Sequence, residues 1–554
     1  DNLSFTFNPD ISRVSVTLFQ RGLQPLRYGA RRKTLNGSLN RIINKIREHK
    51  RFPLFDINNS ADCRILLEVV IEEQPCDIKK VKHSSNDDNR FEPGIHGIKF
   101  SYPVKKGYFN PTDAVVKNIQ AVREILLLLS RRTYIAEKTR SKRQRVQLMK
   151  TEPIDFHLIK SVAFVSYGEK IFPLLRGYPY PLKQFDKSYL LDSVTDSANW
   201  LVNNLDQKGK FLYFYNGITD SIVDIDHPRN PNYYNMLRHS GAIIALLLTY
   251  ELTRKSSFIN AARTAIDYLV SSFREETIEL EEIGNKYACY PMCNRKAKLG
   301  GAGIALVALV KYYQIVKKPS LRTTIDGLVC HILSRIEPTG ELMPYYIHPQ
   351  YNQGRPLTTM DDQTKKELFS FYYPGEAMLG IALYYRHMPD ITPDLKQLIY
   401  KKSRLAMDFL IEQRPLKYPE LFQRVPDDAW LMQAVEEWVK VEGFNKKSYY
   451  DFLYDDATAI IKYMRSREDS PSINIGARSE GIIAAYYAAR EKGDREKAGY
   501  FIKNIIQSAK GLRKTQHTAE STYAHLYPEK SIGTFSFRMT NQWIRIDSIQ
   551  HTAC

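Results

Sequence analysis

The stretch Leu237–Leu252, LRHSGAIIALLLTYEL, is apolar around its whole circumference. Charge stands only at its ends, at Arg238 and Glu251, and small residues (Ser240, Gly241, Ala242) follow the first charge. A helix of that kind belongs in an interior, because a surface helix keeps one polar face. Five further stretches share the pattern: Leu299–Val316, Pro374–His387, Asp428–Val441, Arg478–Glu491 and one near Trp543–Cys554. Six amphipathic stretches alternate with them: Ser188–Leu205, Phe258–Phe273, Ser320–Ile336, Leu395–Gln413, Tyr449–Arg465 and Asp494–Lys510. Glycines mark the apolar kind at Gly241, Gly301, Gly375 and Gly481. The order starts with an outer helix and ends with an inner one, so the last inner helix is left to close a ring beside the first outer helix. The pattern predicts an all-α (α/α)6 toroid over residues 185–554; an open solenoid would need polar capping repeats at its ends.

Upstream the chain changes character. Val14–Phe19 (VSVTLF) and Ile65–Glu72 (ILLEVVIE) read as strands, Leu39–Arg47 as a helix, and Gly94–Phe100 as a turn leading into a third strand. Pro111–Ser130 reads as a helix opened by its proline. Residues 1–130 are therefore expected to form a basic mixed α/β (or α+β) domain. Arg131–Lys150, with eight basic residues and one acidic, reads as a linker or exposed basic helix end. Ile159–Phe172 reads as a hairpin turning at Tyr167–Lys170. Residues 131–184 are thus expected to be a linker and hairpin between the two domains.

Composition narrows the function classes. The 554 residues are 43% hydrophobic and 25% charged, which excludes wholesale disorder. Six cysteines exclude a disulfide-built scaffold. No apolar run reaches 18 residues without a charge, so no membrane span is expected. The chain starts at Asp1, as a trimmed form would, and a soluble protein, cytoplasmic or exported, is expected. Net charge is +19, of which residues 1–150 carry +14. Such a field favours an anionic partner. An acidic polysaccharide is the leading expectation. Nucleic acid is second, on the strength of Arg31–Lys33 and Arg140–Arg145, with no recognised RNA-binding string.

Inner-helix starts converge at one mouth if the inner helices run parallel. That places Tyr234, Asn235, Arg238 and His239 with Tyr372, Tyr373 and Glu376, Asp428 and Trp430, Arg478 and Glu480, and Arg545 and Asp547. Arg295, Lys298 and Asp427 join the set. Six helix starts favour anions. Tyr234, Arg238, His239, Glu376, Asp428 and Glu480 are the catalytic candidates. Asn235, Tyr372, Tyr373, Trp430, Arg478, Arg545 and Asp547 are the substrate-binding candidates. Each has a structural alternative, since a first-turn carboxylate also caps its helix. Cys289 and Cys293 are four apart without two further ligands at matching positions, and Asp224–His227 lacks the pattern of a calcium loop. No phosphate loop or dinucleotide fingerprint occurs. No metal and no cofactor is expected.

The strings Asn235-Met236-Leu237-Arg238-His239-Ser240-Gly241, Leu299-Gly300-Gly301-Ala302-Gly303, Tyr372-Tyr373-Pro374-Gly375-Glu376-Ala377 and Arg478-Ser479-Glu480-Gly481 carry a resemblance. Over about residues 185–554 the chain resembles the six-hairpin glycosidase superfamily and its toroidal relatives among polysaccharide lyases and uronyl epimerases. In toroidal lyases Tyr, His, Asn and Arg act on the substrate, which points to Tyr234, Asn235, Arg238 and His239. More weakly, VSVTLF at Val14, RFPLF at Arg51, ILLEVVIEEQP at Ile65, EPGIHGIKF at Glu92 and KKGYFNP at Lys105 resemble the domain named after the AMME chromosomal region. That family's Leu-Arg-Gly-Cys-Ile-Gly string is here Leu26-Arg27-Tyr28-Gly29-Ala30-Arg31, without cysteine, so no activity resting on that cysteine is implied.

The expected function is a carbohydrate-active enzyme that abstracts the C5 proton of a uronate, as epimerase or lyase. One alternative is an inverting glycoside hydrolase using a pair among Glu376, Asp428 and Glu480. The other is a scaffold that binds a polymer or nucleic acid without turnover.

Overall fold

A computed structural model describes residues 6–59, 62–82, 90–102, 105–179, 184–293, 295–355, 359–422, 428–465, 472–539 and 541–553. The chain divides into two compact units. The first comprises Asp1–Gln184, Tyr215–Ile222 and Lys514–Ile544; the second comprises Phe185–Phe214, Val223–Arg513 and Arg545–Cys554.

The first unit is built on an eight-stranded, wholly antiparallel sheet. Its strands are β1 (Val14–Gln20), β2 (Leu23–Ala30), β3 (Arg64–Pro75), β4 (His96–Tyr102), β5 (Lys105–Phe109), β6 (Asp155–Tyr167), β7 (Lys170–Leu175) and β8 (Tyr178–Pro179). The main order is β2-β1-β3-β6-β4-β5, with β7 and β8 added beside β6. Helix α1 (Leu35–Arg47) buries Ile42 and Ile46 against Val14, Leu18, Leu26 and Val69. Helices α2 (Val122–Ser130) and α3 (Lys142–Thr151) pack Ile125, Leu129 and Met149 against Phe100, Phe109 and Phe156.

Three expectations are corrected here. The helix read over Pro111–Ser130 is broken: a single turn at Asp113–Val116 ends at Asn118, whose φ of 53° is left-handed, and α2 starts only at Val122. Asparagine tolerates that conformation better than most residues. Residues 131–184 are not a linker, since Met149 of α3 is fully buried and β6–β8 extend the sheet. Residues 514–544 do not belong to the helical unit. They place Tyr523, Ala524 and Met539 in one core with Phe19, Leu66 and Phe172, and the Tyr523 hydroxyl donates to Gly177 O at 2.8 Å. The expected hairpin forms where it was read, with Tyr167 paired to Lys170.

The second unit is mostly helical. Six of its helices are buried along half or more of their length: α5 (Met236–Thr253), α7 (Leu299–Val316), α9 (Tyr373–His387), α11 (Ala429–Trp438), α13 (Ile473–Glu491) and α15 (Ile546–Ala553). Each packs on the next, and α15 returns to α5, so the contacts form a closed circuit. The alternating helices are α4 (Lys187–Asn203), α6 (Ser256–Ser271), α8 (Arg322–Ser334), α10 (Pro393–Asp408), α12 (Lys447–Arg465) and α14 (Arg495–Leu512), and each packs against this circuit. Two short antiparallel pairs precede or brace α7: β9 (Phe273–Leu280) with β10 (Gly284–Pro291), and β11 (Lys296–Lys298) with β12 (Tyr345–Ile347).

The apolar stretch Leu299–Val316 has the length and composition of a membrane span, but 72% of it is buried inside the protein. Its burial explains its composition. Close contact between α7 and α9 depends on Gly303, where an added Cβ would fall 2.5 Å from Ala377 N and from the Glu376 carbonyl carbon. Backbone cannot give way as a side chain can. Gly303→Val should therefore destabilise the unit by about 3 kcal/mol or more. A urea midpoint equal to the parent's would show that α7 and α9 part without cost.

Candidate active site

The candidates fall into four groups. In the first, Arg238 and Arg545 share Asp547. The Arg238 Nε lies 2.9 Å from Asp547 Oδ2, and the Arg545 Nε lies 2.7 Å from Asp547 Oδ1. Arg545 also reaches Asp226 Oδ2 at 3.0 Å, and Arg238 donates to the Tyr213 hydroxyl. Burial alone would raise the Asp547 pKa, but the two guanidinium groups outweigh it and hold it low. Two cations thus face two carboxylates, and the group is neutral.

The second group closes on itself. His239 is fully buried, with Nε2 2.9 Å from Ala265 O and Nδ1 2.7 Å from the Tyr234 hydroxyl. A carbonyl only accepts, so Nε2 carries the proton and Nδ1 accepts from Tyr234. The Tyr234 oxygen in turn accepts from Phe211 N at 3.2 Å. Burial pushes the His239 pKa down to about 4 and the Tyr234 phenol well up. Both side chains are committed to internal bonds. The Asn235 side chain caps α5, accepting from Leu237 N at 3.0 Å.

The third group surrounds Glu376. Its side chain is buried, and Oε2 has no hydrogen-bond partner among the described residues. The carboxyl lies over Gly300, where a Cβ would come within 1.7 Å of Oε2, so only glycine fits there. Burial, then the negative charge of Asp428, push the Glu376 pKa up to about 8, with Lys298 partly offsetting them. At neutral pH the carboxyl is protonated. Asp428 itself is held twice: Oδ1 caps α11 by accepting from Leu431 N at 3.1 Å, and Oδ2 pairs with Arg414 at 3.0 Å. Tyr373 stands edge-on to Tyr345, while Tyr372 is exposed beside Phe371.

The fourth group lies at a cavity of about 460 Å³ inside the circuit, lined by residues of all six inner helices. Trp430, Gln433, Glu480 and Gln550 form one polar part of its lining; Ile244, Val307, Leu379 and Ile483 contribute aliphatic surface. Glu480 Oε1 accepts from His551 Nδ1 at 3.0 Å, and the Trp430 and His551 rings lie 6.1 Å apart. Burial would lower the His551 pKa; the Glu480 carboxylate outweighs it, and the net shift is upward.

Of the thirteen expected residues, Trp430 and Glu480 line this cavity. Arg478, two positions from Glu480, turns elsewhere and stacks 4.5 Å above the Tyr463 ring of α12. Asp427 lies outside the described residues. His551 is absent from the sequence-based set. Its signal was its place four residues after Asp547, which puts both on one helical face.

No family model matches the chain, and no curated protein matches it. Among solved structures, the chain is similar to a D-mannose isomerase, with 13% identity over 68% of this chain and 97% of that one (TM-score 0.43). It is also similar to cellobiose 2-epimerase from Bacillus thermoamylovorans, with 11% identity over 66% and 98% (TM-score 0.44). A third likeness is to an α-1,6-mannanase from Salegentibacter sp., with 10% identity over 66% and 97% (TM-score 0.41).

Proposed function

We propose that the helical unit is an (α/α)6 toroid and the catalytic part of a carbohydrate-active enzyme that moves a proton at a sugar carbon, as an epimerase or isomerase. The Glu480–His551 pair beside Trp430 carries this reading. An imidazole held by a carboxylate has its pKa raised and can take and return a proton. An indole lining a polar cavity end suits a sugar ring. The substrate is an uncharged sugar whose C–H is acidified by a neighbouring carbonyl. A uronate is disfavoured: Arg238 and Arg545 are neutralised by Asp547 and Asp226, and a substrate carboxylate would have to displace Asp547.

Incubation with neutral aldoses, ketoses and uronates in D2O tests this by deuterium at the carbon next to the carbonyl. His551→Ala should reduce exchange at least 100-fold, the usual scale for a general acid–base group. Exchange into uronates alone, or exchange unaffected by His551→Ala, would sink the assignment.

The protonated Glu376 favours a second reading, glycoside hydrolysis with Glu376 as general acid and Glu480 as base. New reducing ends without deuterium would select it. A toroid that holds a polymer without turnover would give neither signal.

A further inference from the structure

Residues Arg31–Lys50 of the first unit hold seven basic residues and one acidic residue, a net charge of +6. Arg31, Arg32, Lys33, Arg41, Lys45, Arg47 and Lys50 are all exposed. Among the described residues none of the seven forms an ion pair with a carboxylate. Such a patch is costly to leave unscreened, since like charges repel. The first three border an open hollow of about 630 Å³, together with Asp10, Thr34 and Gly37. Arg41 and Lys45 follow on the exposed flank of α1, whose buried stripe is Ser38, Ile42 and Ile46. In the other basic run Arg145 donates to the carbonyls of Thr139 and Ala136, as Arg31 does to that of Asp10.

We propose that this face of the first unit binds duplex nucleic acid through its phosphate backbone, without reading sequence. This inference does not rest on the reading of the toroid. Arginine content and the absence of aromatic side chains select the partner. Helix α1 is about 20 Å long, and the whole stretch spans about 25 Å, so the net charge is near one per 4 Å. Duplex DNA carries about one charge per 1.7 Å of axis, 3.4 Å along each strand, so it offers a phosphate to every cation of the stretch. Four of the seven cations are arginines, whose paired N–H groups match phosphate oxygens. The stretch contains no Phe, Tyr or Trp, so it offers no platform for stacking a sugar ring or an unpaired base. Contact is left to the backbone, which positions a duplex without specifying sequence.

The test is fluorescence anisotropy of the whole protein with a labelled 24-base-pair DNA duplex in 50 and 200 mM NaCl. About six phosphate contacts should make affinity fall on the order of 1,000-fold between the two salts. Arg31→Gln, Arg32→Gln and Lys33→Gln together should flatten the slope of log K against log salt by about 2.7. Arg41→Gln with Lys45→Gln should flatten it by about 1.8. All five side chains are exposed, so thermal melting should not change. Absence of binding at 50 mM salt would overturn the proposal. So would variants that keep the parent's salt slope. Polygalacturonate displacing the duplex at equal total charge would reassign the face to an acidic glycan.

Discussion

Removing Arg545–Cys554 should leave the helical unit without a cooperative melt. The deleted segment holds α15, the helix that joins α13 to α5 and closes the circuit. Ile546 and Ile549 are fully buried, and such side chains stabilise by about 1.5–3 kcal/mol each. Their loss also exposes the flanks of α5 and α13. Asp547 leaves with them, so Arg238, largely buried, loses its carboxylate; breaking such a pair costs about 3–5 kcal/mol. The sum is comparable to the whole stability of a typical domain, about 5–15 kcal/mol. The cut is placed after Ile544 because Lys514–Ile544 belongs to the first unit, which keeps all its residues. Asp547→Ala isolates the electrostatic part and should cost about 3 kcal/mol or more. A truncated protein whose second unit melts like the parent's would refute closure of the circuit.

The circuit was legible in the sequence because burial on all sides leaves a composition that no surface helix shows. Leu299–Val316 matches its sequence pattern to the residue: its only charge is Lys311, and the helix ends where Lys317 turns left-handed at φ 55°. Glycine was a looser guide. Gly241, Gly375 and Gly481 do sit where a Cβ would clash, but Gly301 does not; its neighbours Gly300 and Gly303 make the close approaches. The segment 514–544 was not legible. It folds without long elements, through buried polar residues such as Thr522, His525, Ser531 and Thr534, whose partners are local turns or distant in sequence. No periodicity betrays such a segment.

The site was legible as positions and not as directions. Neighbouring residues on a helix point about 100° apart. Arg238 and His239 therefore could not serve one ligand from one face: Arg238 turns to Asp547, and His239 to Ala265 on α6. Arg478 and Glu480 diverge for the same reason. Helix-start polar residues divided as capping chemistry dictates, with Asn235 and Asp428 taken up by backbone N–H groups. Glu376 sits in the first turn of α9, yet its Oε2 caps nothing among the described residues.

Glu376→Gln should raise stability in alkaline solution and remove most of one pH dependence. The parent carboxyl has a folded pKa of about 8, against about 4.3 for a free glutamate. Between those values the folded state holds a proton that the unfolded chain has released. Stability from this group is therefore full below about pH 4.3, declines through the window, and is lost above pH 8. The span corresponds to about 4–5 kcal/mol, reduced where the structure relaxes around the ion. Glutamine keeps the shape and the neutral state at every pH. The variant should match the parent within about 1 kcal/mol near pH 5 and exceed it by several kcal/mol near pH 9. The comparison isolates Glu376, because every other titrating group is common to both proteins. Activity then separates the two readings of the site. If Glu376 is the acid of a hydrolase, the stabilised variant releases no reducing ends. If Glu480–His551 moves the proton, deuterium exchange survives the substitution. A variant that melts below the parent at pH 9 would mean that the fold stabilises the Glu376 carboxylate through Lys298, so that its pKa is not raised, and its assignment as an acid would fall.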